Sequence, residues 1–312
     1  MPKLLILSKE ADEFQRLIEA AGLPGLETFT ASDPKEALAN GKDCEILYGE
    51  AWLMRDVIPQ LPKLAWVHSM SAGVERLLDP ALRRDYVLTN SRGVFGELMR
   101  EYVVGYLLAH ERRIFERLKA QHERRWDRSP VGRLRGRTLG ILGVGSIGGE
   151  IARTAKHFGM KVHGYTRSSE TSPDVDLYFH GEALLDFARG CDYLVSVLPN
   201  TPETRHIVDA AFLEALPAHA VFINIGRGSA VDESALIRAL ETDQLAGAVL
   251  DVFEQEPLPA EHPFWSTPNL LMTFHTSAMS SPPDLAPAFM ENYKRFVRGE
   301  KLNYVVDFER GY

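Results

Sequence analysis

The sequence has few of the features that mark secreted, membrane-spanning or metal-binding proteins. It contains only two cysteines in 312 residues, and Cys44 and Cys191 lack the spacing of metal ligands, which predicts a reduced protein without a metal site. No apolar run reaches the roughly 18–20 residues of a membrane helix, and the apolar segment at 4–7 is too short for a secretory signal. These absences predict a cytoplasmic protein that does not enter a membrane.

Positive charge is also scarce. The 35 Lys and Arg residues stand against 43 Asp and Glu residues, and the resulting net charge of −8 provides no basic surface for nucleic acid. The one basic stretch, 111–128, mixes both signs and keeps Ile114, Phe115, Leu118 and Trp126 at helical spacing. We therefore expect an amphipathic helix with one solvated face there.

Strands alternate with helices along the chain. Apolar segments typical of strands lie at 3–7, 45–48, 64–67, 138–142, 160–165, 193–198, 220–225, 247–251 and 270–274. This alternation predicts a small parallel α/β domain over 1–97 and a doubly wound sheet within 98–281. Residues 282–312 hold a further helix, which we expect to pack on the first domain. Ligands of such sheets bind at the carboxyl ends of strands, which singles out the loop at 68–73.

A glycine-rich turn is the most informative motif. A strand runs directly into Gly143, Gly145 and Gly148, and a helical pattern follows. In this context the first glycine permits a tight turn, the second lets a pyrophosphate approach the backbone, and the third lets helix and strand pack closely. The helix start at Ser146 and Ile147 offers free N–H groups to phosphates. The motif predicts a dinucleotide site.

The absence of an acidic residue after the glycine-rich turn indicates which dinucleotide is bound. NAD-binding units carry Asp or Glu about 20 residues after the glycines, to hold the ribose hydroxyl. Here no carboxylate occurs between Glu150 and Glu170, and Thr166, Arg167 and Ser168 occupy the corresponding place. Because arginine binds phosphate bidentately, we expect NADP(H) to be preferred, with NAD(H) still possible.

The helix predicted over 98–109 is apolar almost all round. Such a helix must be buried on every side, inside the protein or against a partner subunit.

Three later stretches carry a family resemblance: VFINIGRG at 221–228, LDVFEQEP at 250–257 and TFHTSA at 273–278. With the glycine-rich turn before them, they resemble the NAD(P)-dependent D-2-hydroxyacid dehydrogenases, and the closing residues resemble glyoxylate/hydroxypyruvate reductase-like members.

The resemblance implies two doubly wound α/β domains. A Rossmann dinucleotide-binding domain (98–281) would be inserted into a flavodoxin-like substrate-binding domain made of 1–97 and 282–312. It also implies a homodimer through the 98–125 region.

The resemblance makes Arg227 the substrate clamp, Glu256 the partner of a histidine, and His275 the acid/base. A guanidinium fork suits a carboxylate with an adjacent carbonyl, and Gly226 and Gly228 leave room for close approach. His275 could protonate the alkoxide left by hydride transfer, with the carboxylate favouring the protonated ring.

Further roles come from the resemblance alone. It assigns the substrate carboxylate to backbone N–H groups around Ala72 and Gly73, within the loop that also holds Met70 and Ser71. It assigns the nicotinamide carboxamide to Asp251. General cofactor contacts fall on Leu198, Pro199, Thr204 and Ile225. Glu75 replaces an Asp of many members, a departure that we do not interpret.

The sequence thus predicts NADPH-dependent reduction of small 2-keto acids, such as glyoxylate or hydroxypyruvate, to D-2-hydroxy acids. Alternatives are another dehydrogenase of the family, of the phosphoglycerate type, and a cofactor-sensing corepressor-like binding protein. The intact set of Arg227, Glu256 and His275 disfavours a protein that only binds. Discrimination among the keto acids would depend on pocket volume, which the packing of Trp52, Met70 and a possible partner-chain residue sets.

Overall fold

The apolar segments form two separate parallel sheets. The computed structural model describes residues 1–311, and its contacts divide the chain into one unit of Met1–Phe95 with the segment from Ser280, and a second unit of Gly96–Met279. The strands are β1 Lys3–Leu7, β2 Glu27–Ala31, β3 Ile46–Gly49, β4 Trp66–Ser69, β5 Val87–Asn90, β6 Thr138–Leu142, β7 Lys161–Tyr165, β8 Leu177–Phe179, β9 Tyr193–Ser196, β10 Val221–Asn224, β11 Gly247–Leu250 and β12 Leu270–Met272.

Helices connect the strands in both units. They are α1 Ala11–Ala20, α2 Pro34–Asn40, α3 Ala51–Met54, α4 Gly96–Glu111, α5 Ile114–His122, α6 Ser146–His157, α7 Leu184–Arg189, α8 Ala210–Ala215, α9 Glu233–Glu241 and α10 Pro282–Val297. No helix within residues 1–311 has both the length and the apolar character needed to cross a membrane.

The first unit is a five-stranded parallel sheet in the order β2-β1-β3-β4-β5. This order is that of flavodoxin-like folds. Helix α10 belongs to this unit, where Phe289 stacks on Tyr48 and Trp66 with ring centroids 4.6 and 5.1 Å away. The C-terminal segment then pairs with β5, since the Val306 N–H donates to the Leu88 carbonyl at 2.8 Å.

The second unit is a seven-stranded parallel sheet in the order β12-β11-β10-β9-β6-β7-β8. Counted from β6, it has the 3-2-1-4-5-6 order of dinucleotide-binding folds with one more strand at the edge. The strand order reverses between β6 and β9, and ligands of open α/β sheets bind at that point, beyond the carboxyl ends of the strands. The two doubly wound sheets confirm the predicted fold class.

The sequence analysis missed three strands, β2, β5 and β8. In strand β2, Glu27 is exposed, the next three residues are half-buried, and only Ala31 is buried. Strand β8 has three residues at a sheet edge, and none is buried. Strands β2 and β8 lack the continuous apolar run that marks the central strands, because an edge strand is covered less completely. Strand β5 is mostly buried but lacks such a run because Thr89 and Asn90 are polar.

The two helices after the first sheet differ from expectation. Within the single chain, α4 (predicted over 98–109) buries Val103 and Leu107 but exposes Glu101 and Gly105, so burial on every side would need a partner subunit and stays a prediction. Helix α5 is shorter than the predicted amphipathic segment, and Ala120 is its one buried residue. The apolar residues expected to pack are exposed instead: Ile114 by 50%, Phe115 by 44%, Leu118 by 49% and Trp126 by 89%.

Candidate active site

The three glycines of the turn after β6 meet three different surroundings. Gly143 has a φ of 95°, which L side chains rarely adopt. A Cβ on Gly145 would meet no atom within 4 Å, whereas one on Gly148 would lie 2.3 Å from the Gly143 carbonyl oxygen. The first glycine therefore serves the turn and the third serves packing. The second leaves open space beside the backbone, as a pyrophosphate requires.

Helix α6 begins at this open space. Its N-cap, Gly145, has an extended backbone, no side chain caps the helix, and its first turn contains no acidic residue. The N–H groups at Ser146 and Ile147 are thus presented with the positive end of the helix dipole. This donor set fits the phosphates of a dinucleotide.

The end of β7 lies beside the turn, because the Gly143 N–H donates to the Tyr165 carbonyl at 3.0 Å. Two of the three residues that follow, Arg167 and Ser168, are exposed, and Arg167 lies 4.0 Å from the Glu203 carboxylate. The Thr166 hydroxyl donates to the Ser169 carbonyl at 2.6 Å, so it shapes the loop.

The acid that ends this loop is also engaged. Glu170 lies 2.8 Å from Nε2 of His180, and this contact, with a second hydrogen bond at the Thr166 carbonyl, raises the pKa of His180. The Glu170 carboxylate is therefore held by the His180 imidazole.

A threonine within the loop after β9 stabilises that loop by a hydrogen bond. The Thr204 hydroxyl donates to the Pro199 carbonyl at 2.6 Å. Leu198 and Ile225 are only 9% and 3% exposed, so their side chains belong mainly to the core. A Cβ on Gly226 would lie 2.7 Å from the Leu198 nitrogen, which shows how closely the loops after β9 and β10 approach each other.

Arg227 follows β10 in a braced loop. Asn224 is fully buried; its side-chain amide donates to the Arg227 carbonyl at 2.9 Å, and its Oδ1 accepts from the Gly226 N–H at 3.2 Å. A Cβ on Gly228 would lie 1.9 Å from the Phe253 carbonyl carbon. The expectation that Gly226 and Gly228 leave room for a ligand is corrected here, because protein backbone occupies the space beside both.

Glu256 and His275 form the predicted pair. Oε2 of Glu256 lies 2.7 Å from Nδ1 of His275, while Oε1 accepts the Phe253 N–H at 3.0 Å. The hydrogen bond to Glu256 raises the pKa of His275 above its ordinary value, against the effect of burial. Burial raises the pKa of Glu256, but the hydrogen bonds from His275 and Phe253 outweigh it and the net pKa is lowered.

Arg227 belongs to the same cluster. Its charge contributes to the shifts at both partners, lowering the pKa of Glu256 and opposing the rise at His275. The structure thus brings together the three residues that the resemblance names as catalytic, within the second unit.

Asp251, which the resemblance assigns to the nicotinamide carboxamide, is fully buried, and its carboxylate accepts hydrogen bonds from Thr273, Thr276 and Ser277. In this structure Asp251 holds the segment that carries His275.

The loop assigned to the substrate carboxylate lies in the first unit, at the carboxyl end of β4. Met70 is buried, and its N–H donates to the Gly49 carbonyl at 2.9 Å, so it anchors the loop. Ser71 is exposed, and the N–H groups of Ala72 and Gly73 make no hydrogen bond within residues 1–311. Two such N–H groups suit an anionic oxygen.

Sequence reasoning missed the residues that brace these loops. The Asn90 amide donates to the Ala72 carbonyl at 2.6 Å, and Asn224 holds the Arg227 loop. Asn90 and Asn224 each end a strand, so their position at the carboxyl edge of a sheet is the sequence signal that could have identified them. Asn90 was overlooked because β5 itself was missed.

The chain matches known proteins along its whole length. A model of the family described as "D-isomer specific 2-hydroxyacid dehydrogenase, NAD binding domain" matches residues 104–277. A glyoxylate/hydroxypyruvate reductase A from Escherichia fergusonii is 34% identical over 253 residues, which cover 79% of this chain and 81% of the relative.

Solved structures of similar proteins point to the same family. A D-isomer specific 2-hydroxyacid dehydrogenase family protein from Aeromonas salmonicida is 45% identical, with a TM-score of 0.93 over 98% of this chain and 99% of that chain. An NADPH-dependent glyoxylate/hydroxypyruvate reductase from Sinorhizobium meliloti, solved with NADP and sulfate, is 30% identical, with a TM-score of 0.88 over 100% of both chains. The chain therefore belongs to the D-isomer specific 2-hydroxyacid dehydrogenase family of NAD(P)-dependent oxidoreductases.

Proposed function

We propose that this enzyme uses NADPH to reduce small 2-keto acids, of the glyoxylate or hydroxypyruvate type, to D-2-hydroxy acids. The observation that carries the proposal is the His275–Glu256 pair at 2.7 Å with Arg227 beside it, in the dinucleotide-binding unit. The reductases from E. fergusonii and S. meliloti support the substrate class by their names, and the latter's NADP complex supports the cofactor.

The cofactor would be held by groups at the switch point of the second sheet. The open backbone at Gly145 and the N–H groups at Ser146 suit the pyrophosphate, and the exposed guanidinium of Arg167 suits a 2′-phosphate. Bound NADPH would supply the hydride.

The proton would come from His275. Since Nδ1 is held by Glu256, Nε2 is the nitrogen left to face a substrate oxygen. The raised pKa favours the protonated ring, which suits a general acid for reduction. Glu256 is itself fixed by the Phe253 N–H, so the imidazole is held at a defined orientation.

Arg227 would bind the substrate carboxylate and carbonyl together. Its loop is fixed by Asn224, and a planar fork can contact two oxygens at once. We retain the N–H groups of Ala72 and Gly73 as proposed donors to the substrate carboxylate.

The proposal is tested by following NADPH oxidation with a panel of glyoxylate, hydroxypyruvate, pyruvate and bulkier 2-keto acids. We expect turnover with the small members and loss of most of it in His275→Ala, by about 10²–10⁴ in kcat if proton donation is its main role. Tight NADPH binding by the wild type without turnover of any keto acid would instead favour a corepressor-like binding protein.

Arg167→Ala tests cofactor choice. Loss of a charge-assisted contact at an exposed position should raise KM for NADPH about tenfold and leave KM for NADH nearly unchanged. The control is Arg189→Ala, which removes another exposed, ion-paired arginine from the same unit and should change neither KM. Equal effects of Arg167→Ala on both cofactors would remove Arg167 from the 2′-phosphate site.

Arg227→Lys tests the role of the guanidinium shape. The charge remains but the planar fork is lost, so kcat/KM for the keto acid should fall by at least about tenfold, the loss of one charge-assisted bond. Steady-state kinetics with circular dichroism as the folding check would measure this. Near-normal kcat/KM in a folded variant would make Arg227 a turn residue.

Glu256→Gln tests the histidine pair by pH. Reduction needs the protonated ring, so kcat/KM should be constant at low pH and fall as pH rises through the raised pKa of His275. Glutamine removes the charge that raises this pKa, and the fall should therefore move to lower pH. A deuteride isotope effect would establish that the chemical step is being measured.

The matched control is Glu233→Gln, which removes the carboxylate 3.3 Å from His262 and should leave the pH profile in place. If the profile of Glu256→Gln also stays in place, another group supplies the proton.

We also propose a homodimer through the 98–125 region. Ile114, Phe115 and Leu118 expose apolar surface on one short helix, and soluble chains seldom leave such surface uncovered. Sedimentation velocity at micromolar concentration should give a dimer for the wild type and a monomer for Leu118→Glu. Val297→Glu, at an exposed apolar position on α10, should remain dimeric. A monomeric wild type would contradict the proposal.

A further inference from the structure

We propose that Tyr102 and Thr273 are positioning residues that hold His275 in place through the carboxylate of Asp251. The inference rests on the proposed role of His275 as acid/base. It goes beyond that role by naming the support on which the histidine depends.

The segment around His275 is attached to Asp251 on both sides of the histidine. Oδ1 of Asp251 accepts the Thr276 N–H at 2.8 Å, and Oδ2 accepts the Ser277 N–H at 3.1 Å. The Asp251 carbonyl accepts the N–H of His275 itself at 2.7 Å. One buried residue therefore fixes three successive N–H groups.

His275 needs this support because its backbone is strained. Its φ is 56°, in the left-handed region that residues other than glycine seldom occupy. Such a conformation persists only where the surroundings over-determine it. If the bonds to Asp251 weaken, the segment can relax to a commoner conformation, and the imidazole then leaves its 2.7 Å contact with Glu256.

The position of Asp251 depends in turn on two hydroxyl groups. The Thr273 hydroxyl lies 2.6 Å from Oδ1 of Asp251, and the Tyr102 hydroxyl lies 2.7 Å from Oγ1 of Thr273. The Thr273 hydroxyl gives its one hydrogen to Asp251, so it accepts in the contact with Tyr102, and the Tyr102 hydroxyl donates. Burial raises the pKa of Tyr102 well above its usual range, which keeps the phenol a donor at working pH.

The hydroxyl groups of Tyr102 and Thr273 connect the segment around His275 to helix α4. Tyr102 lies on α4, and Thr273 directly follows β12. Successive hydrogen bonds polarise one another where water is partly excluded, as at these half-buried hydroxyls, so the tyrosine strengthens the bond from Thr273 to Asp251. Helix α4 thereby fixes the side chain of Thr273. The Thr273 hydroxyl in turn fixes the Asp251 carboxylate, which holds the segment around His275.

The competing interpretation makes Asp251 a direct ligand of the nicotinamide. The two roles predict different kinetics. A ligand role would make weakening of the Asp251 site raise KM for NADPH. A positioning role lowers kcat and leaves KM nearly unchanged, because the glycine-rich turn and Arg227 are untouched.

The experiment compares Thr273→Val, Thr273→Ser and Tyr102→Phe in the full-length enzyme. Thr273→Val keeps the shape but removes the hydroxyl, and we expect kcat to fall about tenfold, in line with the rate losses that small displacements of catalytic groups cause. Tyr102→Phe should act in the same direction with a smaller effect, since Thr273 can still donate. Thr273→Ser retains the hydroxyl and should recover most of kcat.

A control variant and a measurement without turnover complete the design. Thr267→Val removes another threonine hydroxyl, one that donates to the Pro263 carbonyl at 3.0 Å, and should leave kcat unchanged. Amide hydrogen exchange should become faster at Thr276 and Ser277 in Thr273→Val and Tyr102→Phe, and should stay unchanged there in Thr267→Val.

The outcomes separate this inference from the proposed function. Unchanged kcat and unchanged exchange in both Thr273→Val and Tyr102→Phe would overturn it, and so would a raised KM for NADPH at constant kcat. If the wild type turns over no keto acid, the proposed function fails. The exchange rates at Thr276 and Ser277 would still decide whether the two hydroxyls hold the segment.

Discussion

The burial of both faces of parallel strands is the constraint on which the rest of the structure depends. Helices cover each face of the second sheet, so the strands carry apolar side chains and polar groups are displaced to the strand ends. Gly143, Thr166, Arg227 and Asp251 each follow the end of a strand directly or after two residues. Residues distant in sequence therefore meet at one edge, where ligands of open α/β sheets bind.

At that edge a buried carboxyl group and a strained backbone stabilise each other. Asp251 is fully buried, and a buried polar side chain needs hydrogen-bond partners to be tolerated. The N–H groups of Thr276 and Ser277 provide them because the segment turns through the left-handed conformation of His275. Neither arrangement would persist without the other, which makes the position of the imidazole a property of the whole segment.

The predictable parts of the fold and site are those with a local signal. Central strands such as Leu4–Leu7 and the glycine-rich turn are visible as apolar runs and spacing, whereas β2 and β8 at sheet edges lack an apolar run. The cluster of Arg227, Glu256 and His275 could be named because motifs surround each residue. Tyr102 and Thr273 could not, since they are 171 positions apart and their contact arises only from the packing of α4.

The case of Asp251 separates what a motif can establish from what geometry adds. Its neighbours in the sequence mark the position as part of the site, but many roles are compatible with an acid at a strand end. Full burial and three hydrogen bonds to the following segment add a supporting role that the motif alone does not reveal. The same logic applies to Gly226 and Gly228, whose missing side chains admit protein backbone rather than substrate. In both cases the residue type is required by the packing of the loops that hold the reacting groups. These residues therefore act on the reaction through the loops.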